Sequence, residues 1–180
     1  NPLSLITSRM DLSLDGRIGA GHFSGDAILS KNMITVNIDF MQASLMDMQF
    51  LKISGIRGTG DVSGKFTLID QKGHLEFLVK DAGIEPAVFA GVTVPLNFFN
   101  TIKGSLDIEG NTFDLASVSL EGRHIFARLK GVIKDNVMDL RMEVMPQKSF
   151  LENPLFLSQV DRYQVSPGYY VIPVKGNLVF

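Results

Sequence analysis

Three histidines, one pair of carboxylates and two glycine-rich runs are the residues of this chain whose types could do chemistry. His22, His74 and His124 lie in separate segments, with no H-x-x-x-H or H-E-x-x-H spacing that would put two of them on one helix face. They are expected at exposed or turn-edge positions. Asp81 and Glu85 could serve as an acid/base couple. Gly83 and Pro86 beside them point instead to a loop carrying solvated charges. No serine sits in a G-x-S-x-G elbow. The chain has no cysteine, which excludes disulfides, thiolate nucleophiles and Cys-ligated metals. Gly19, Gly21 and Gly25, and again Gly58, Gly60 and Gly64, are spaced G-x-G-x-x-x-G rather than G-x-G-x-x-G. Both runs lead into polar–apolar alternation, so no helix N-terminus follows to hold a phosphate. The residues therefore predict no catalytic, cofactor-binding or metal site and a non-enzymatic protein.

The elements around them read as strands. Met10–Ile18 alternates apolar or Gly with polar residues, as do Ile34–Phe40, Val62–Leu68, Leu75–Val79 and Met138–Val144. Period-two alternation gives each strand one apolar and one wet face, the pattern of antiparallel sheet. Asp70–Gly73, Gly110–Asn111 and Lys134–Asn136 supply the positive φ that tight hairpins need. Connections this short permit only antiparallel neighbours. Phe113 and Leu115 are odd-numbered, whereas Val118 and Leu120 are even, so one apolar face requires an extra residue near Ala116–Ser117; a β-bulge is predicted there. Two stretches break the alternation. Met41–Leu51 predicts a short helical or irregular crossover. Ser149–Tyr163 has roughly helical spacing, with Pro154 suited to a first turn, and predicts a short amphipathic helix over a sheet edge or mouth.

Internal repetition is the strongest signal. Gly19–Gly25 recurs as Gly58–Gly64, and an apolar-Lys-Gly-x-apolar unit occurs at Ile102–Leu106, Leu129–Ile133 and Val174–Leu178. Glycine weakens a strand unless the sheet must bend or backbones must approach. A row of missing side chains on one face lets the sheet curl towards that face. The predicted fold is mainly β: one domain over residues 1–180, a strongly curved antiparallel meander of repeated hairpins, trough-like, with one or two short helices. The trough lining is expected to comprise Phe66, Leu68, Leu75, Phe77, Val79, Leu106, Ile108, Val118, Leu120, Ile125, Ala127, Leu129, Leu140 and Met142. With 13 Phe and 8 Met, such a face is soft and adaptable.

A net charge of -2 gives no electrostatic basis for nucleic-acid binding. The most apolar stretch, Pro86–Leu96, is too short to span a bilayer as a helix and has a proline near each end. A start at Asn1 suggests a processed piece of a longer chain, whose upstream part could carry an anchor. An open sheet also has two edges, expected to include Met10–Ile18 and Leu178–Phe180, one of which pairs with a partner or a second copy.

The runs SGIRGTGDVSGKFTL (Ser54–Leu68), AGVTVPLNFFNTIKGSLDIEGN (Ala90–Asn111) and SVSLEGRHIFARLKGVI (Ser117–Ile133) resemble the GspN family, the N components of type II secretion systems in the form found with AsmA-like domains. The ending YYVIPVKGNLVF (Tyr169–Phe180) is similar to the closing strand of AsmA-like domains. The resemblance covers about Ser54 to Phe180. It implies a periplasmic domain attached to the bacterial inner membrane by an N-terminal anchor not in this chain. It further implies an accessory, non-catalytic role beside other secretion-system proteins. As an alternative, it implies a β-groove that binds or transfers lipid acyl chains. It carries over no functional residue.

Overall fold

The computed structural model describes residues 9–47, 56–89 and 91–177. Their strands run β1 (Met10–Ile18), β2 (Gly21–Ser30), β3 (Met33–Ser44), β4 (Gly58–Ile69), β5 (Lys72–Ile84), β6 (Ala87–Phe89), β7 (Val92–Val94), β8 (Thr101–Glu109), β9 (Thr112–Gly122), β10 (Ile125–Lys134), β11 (Val137–Pro146), β12 (Gln164–Ser166) and β13 (Tyr169–Asn177). Among the described residues one α-helix, α1 (Pro154–Val160), precedes β12. Eleven strands form a single antiparallel sheet, β1-β2-β3-β4-β5-β8-β9-β10-β11-β13-β12, not closed into a barrel. β6 and β7 make a separate two-stranded hairpin between β5 and β8. The mainly β, curved meander expected from the alternation is the observed fold.

Two-residue turns set the register. Asp135 and Asn136 both have positive φ (49° and 66°), the conformation of a type I′ turn, whose twist matches the flanking strands. Asp70 and Gly110 sit in the left-handed region at the β4–β5 and β8–β9 turns. Neighbouring turns are joined to each other. Asp70 N–H donates to the Ile34 carbonyl, Gly110 N–H to that of Gln71, and Asp135 N–H to that of Asn111. The Asp70 carboxylate in turn accepts from Ile34 N–H at 3.0 Å. The hydrogen-bond ladder thus continues past the strand ends into a bonded rim.

The bulge expected near Ala116–Ser117 is present. Leu129 and Gly131 of β10 face Val118 and Leu115, so Ala116 and Ser117 of β9 lie against the single Lys130 of β10. Similar bulges occur in β3 between Phe40 and Ala43, and in β5 beside Asp81, where Gln42 and Asp81 adopt positive φ. Asp81 therefore lies in a strand rather than in the loop expected for it. The stretch from Met41 is also more regular than expected. β3 continues to Ser44, and a single 3-10 turn follows at Leu45–Asp47; the rest of the crossover lies outside the described residues.

The expected helix is α1. Asn153 caps it, its side-chain oxygen accepting from Leu155 N–H (3.0 Å) and Phe156 N–H (3.2 Å), and Pro154 takes the first turn, where no N–H is needed. Phe156 and Val160 are fully buried. The sheet curls towards its apolar face, so that the β6–β7 hairpin leaving β5 folds across and packs on β13. The core lies beneath this hairpin and α1, where Val62, Val79, Ile102, Leu120, Val144 and Ile172 meet Val94, Phe99 and Phe156.

Candidate functional site

One row of directly opposed residues crosses ten strands on the apolar face: Gly16, Phe23, Phe40, Gly64, Phe77, Gly104, Val118, Leu129, Met142 and Ile172. Every phenylalanine in it stands next to a glycine or next to a phenylalanine that does. The Phe40 ring lies against the Gly64 backbone, leaving no room for a β-carbon there. Rings therefore lie flat, and the sheet can bend around them without side-chain collision.

The Lys-Gly repeat has the same logic seen from both faces. Gly104, Gly131 and Gly176 are on the apolar side, opposite Val118, Leu140 and Met138. The preceding lysines point outward to a carboxylate of the adjacent strand: Lys103 to Glu121 (2.7 Å), Lys130 to Glu143 (2.9 Å) and Lys175 to Asp139 (3.0 Å). The unit places a cross-strand ion pair outside and a gap inside.

The trough so formed is plugged at one end. Phe98, Phe150, Phe156 and Tyr170 make a ring cluster, with Phe98–Phe150 (5.3 Å) and Phe156–Tyr170 (5.4 Å) edge to face. Burial pushes the Tyr170 phenol up from its ordinary pKa. At the other end lie the bonded turns and both ends of the described chain. There the apolar face is half-buried at Phe66, Leu68, Leu75, Leu106 and Ile108, and it is open at Leu12 and Ile34.

Of the expected lining, Phe66, Leu68, Leu75, Leu106 and Ile108 are half-buried towards this end, while Phe77 and Leu129 are half-buried against the core. Val79, Val118, Leu120, Ile125, Ala127, Leu140 and Met142 do not line an open groove; each is buried in the closed core. They share the correct face, but the hairpin and α1 cover them. Sequence reasoning missed Phe23, Val36, Ile38 and Phe40, which continue the face through β2 and β3. Their alternation was visible; what hid them was the absence of any sequence cue that β3 pairs with β4 across the crossover.

The outer face is polar and paired. Glu143, 7% exposed, is gripped by Lys130 and Arg141, whose hydrogen bonds hold its carboxyl below the usual range. Between β3 and β9 a shallow depression is lined by serines such as Ser63 and Ser117, by Lys65, Lys103 and Glu76, and by the apolar Met41 and Leu78. The histidines stand apart: His22 is exposed on β2, His124 lies in the β9–β10 turn against Gln147 (3.2 Å), and His74 projects from β5. Among the described residues no group of three or more His, Asp or Glu is placed to hold a metal ion.

The pKa of His74 is raised from its ordinary value. Its Nδ1 lies 2.6 Å from Asp107 and its Nε2 3.5 Å from Glu76. The Asp107 hydrogen bond is the largest cause raising its pKa; desolvation, the next largest, opposes it, and the Glu76 hydrogen bond adds to the rise. A raised folded pKa means that the stabilisation is fully present below the unfolded value and is lost as pH rises through the folded one. His74→Gln should therefore destabilise more at pH 5.5 than at pH 8.5. His74 is 42% exposed, so the difference should be small, about 1–2 °C in Tm. Equal loss at both pH values in thermal melts would refute the charged pair.

No family model matches this chain, and neither a curated protein nor a solved structure matches it.

Proposed function

We propose that this is a non-catalytic binding domain whose trough takes an extended hydrocarbon chain, with lipid acyl chains as the ligand class. The observation that carries this reading is the continuity of one apolar face from a sealed aromatic plug to a half-buried, open mouth. Soluble proteins rarely leave apolar patches of more than a few hundred Å² without a binding role. A continuous apolar face covered at one end suits a flexible hydrocarbon chain better than a rigid polar metabolite.

The second reading is a periplasmic accessory role in type II secretion, attached to the inner membrane through an anchor outside this chain. The resemblance of Ser54–Phe180 supports it. The trough would then accept an apolar segment of another secretion component.

One experiment separates the two. A photoreactive benzoylphenylalanine placed at Phe66 is irradiated in cells, and the adducts are weighed. Adducts of phospholipid mass support the lipid reading; a discrete protein adduct supports the second. In vitro, the delipidated domain should bind the fluorescent fatty acid parinaric acid. Phe66→Glu and Leu106→Glu should each weaken that binding at least about tenfold, since each buries a charge against the chain. Absence of probe binding, with no adduct of either kind, would overturn both readings.

A further inference from the structure

We propose that β1 is the contact strand of a two-fold dimer, pairing antiparallel with β1 of a second copy about Leu14. The two edges of the sheet are not alike. At the far edge β12 covers the start of β13, Pro173 removes a backbone donor midway along it, and Lys175 follows. At the near edge β1 runs nine residues with unbroken register against β2, no proline and no bulge. Among the described residues nothing pairs with its outer side. Such an edge is a template for another strand.

The sequence of β1 selects its own copy. Leu14 is the central residue of Met10–Ile18, so a two-fold axis through Leu14 aligns all nine residues. On the outer face Asp11 then meets Arg17 of the second copy, twice by symmetry, and Ser13 meets Asp15. Opposite charges placed directly across strands attract, and like charges repel. Moving the register by two residues in one direction sets Asp11 against Asp15; in the other it sets Asp15 against itself. A one-residue slip turns the apolar side chains to the polar face. Only the Leu14-centred register has full overlap, matched charge and matched faces.

The trough face agrees. In this register Leu12 meets Gly16 of the second copy. That repeats the rule of the parent sheet, where Gly16 faces Phe23 and Gly64 faces Phe40 and Phe77. Met10 and Leu12, 53% and 40% exposed, become interior to a longer sheet. The contact is isologous and closes on itself, so it ends at two copies rather than growing into a fibre. Asp11 keeps its own Arg9 at 2.9 Å and Asp15 its own His22 at 3.6 Å, so neither needs the second copy to fold.

Sedimentation of the full 180-residue chain across a concentration series should show a species of twice 19.8 kDa. Asp11→Arg or Arg17→Asp alone should raise the dissociation constant about tenfold or more, because two ion pairs become two repulsions. The double variant should restore it. Because the chain lacks cysteine, Leu14→Cys introduces a single thiol. Directly opposed residues have Cα atoms about 4.5–5.5 Å apart, within disulfide range, so mild oxidation should link this variant. Met10→Cys, whose two copies would lie about 27 Å apart, should not link. A chain that stays monomeric throughout the series, a dimer indifferent to charge reversal, or equal linking at both cysteines would each overturn the proposal.

Discussion

Phe156→Ala should lower the thermal midpoint by about 10 °C or more. Phe156 has no exposed surface, and its ring packs 5.7 Å from Phe98, 5.2 Å from Phe150 and 5.4 Å from Tyr170. Truncating a buried phenylalanine costs about 3–5 kcal/mol through lost transfer energy and the cavity left behind. In a chain of this size each kcal/mol moves Tm by about 2–4 °C. The neighbours cannot collapse into the gap, because Tyr170 and Phe98 are held by separate elements, β13 and the turn before β8. Phe156→Leu keeps much of the volume and should lose less than half as much. Thermal unfolding followed by circular dichroism tests this directly. A loss below about 1 kcal/mol would mean that the rings do not form a packed plug.

Gly64→Val should be nearly as damaging, for the opposite reason. Valine is a good strand residue, and propensity alone would favour it by up to about 1 kcal/mol. Sterics decide otherwise. A β-carbon at Gly64 would fall 2.6 Å from Cζ of Phe40 and overlap the backbone carbonyl of Glu76. The ring could turn aside, but the carbonyl belongs to the central β4–β5 ladder and cannot. Overpacking of about 1–3 kcal/mol is therefore the floor, and about 3 kcal/mol the expected net loss in urea unfolding. Gly110→Asn is the control. Its φ of 57° suits asparagine and open space surrounds it, so its change should stay within about 0.5 kcal/mol. Equal effects at the two sites would remove close approach as the reason for the glycine at position 64.

Most of the meander was legible because local rules and tertiary structure agree along it. The alternation of Met138–Val144 gave both a strand and its buried face, and the parity change between Leu115 and Val118 located a bulge to within a residue. The Lys-Gly repeat was visible as a pattern, but its meaning was not. The carboxylates that meet Lys103, Lys130 and Lys175 sit 18, 13 and 36 residues away, on strands whose register only the fold fixes. The edges were half legible. Met10–Ile18 is the outer strand expected, but the opposite edge belongs to β12, too short at three residues to register as a period, and Leu178–Phe180 lies outside the described residues. The extent of the trough was overestimated for a related reason. Alternation tells which face a side chain takes but not what lies above it, and the covering elements are short irregular pieces around Phe98, Phe150 and α1.

The bonded rim has a geometric consequence for how such a chain could change length. Along the large sheet each strand lies beside the next, with the β6–β7 hairpin and the α1–β12 segment as excursions among the described residues. All the two-residue turns that hydrogen-bond to one another gather at the mouth, and the described β1–β2 and β9–β10 turns lie at the opposite ends of the strands. Strands can therefore be inserted or lost only in pairs. An odd change would send all later turns to the wrong end, break the rim ladder and carry the end of β13 away from the mouth. An even change widens the sheet by about 10 Å, two strand spacings, and leaves both ends of the trough as they were. The breadth of this architecture is thus quantised, and the unit is the hairpin.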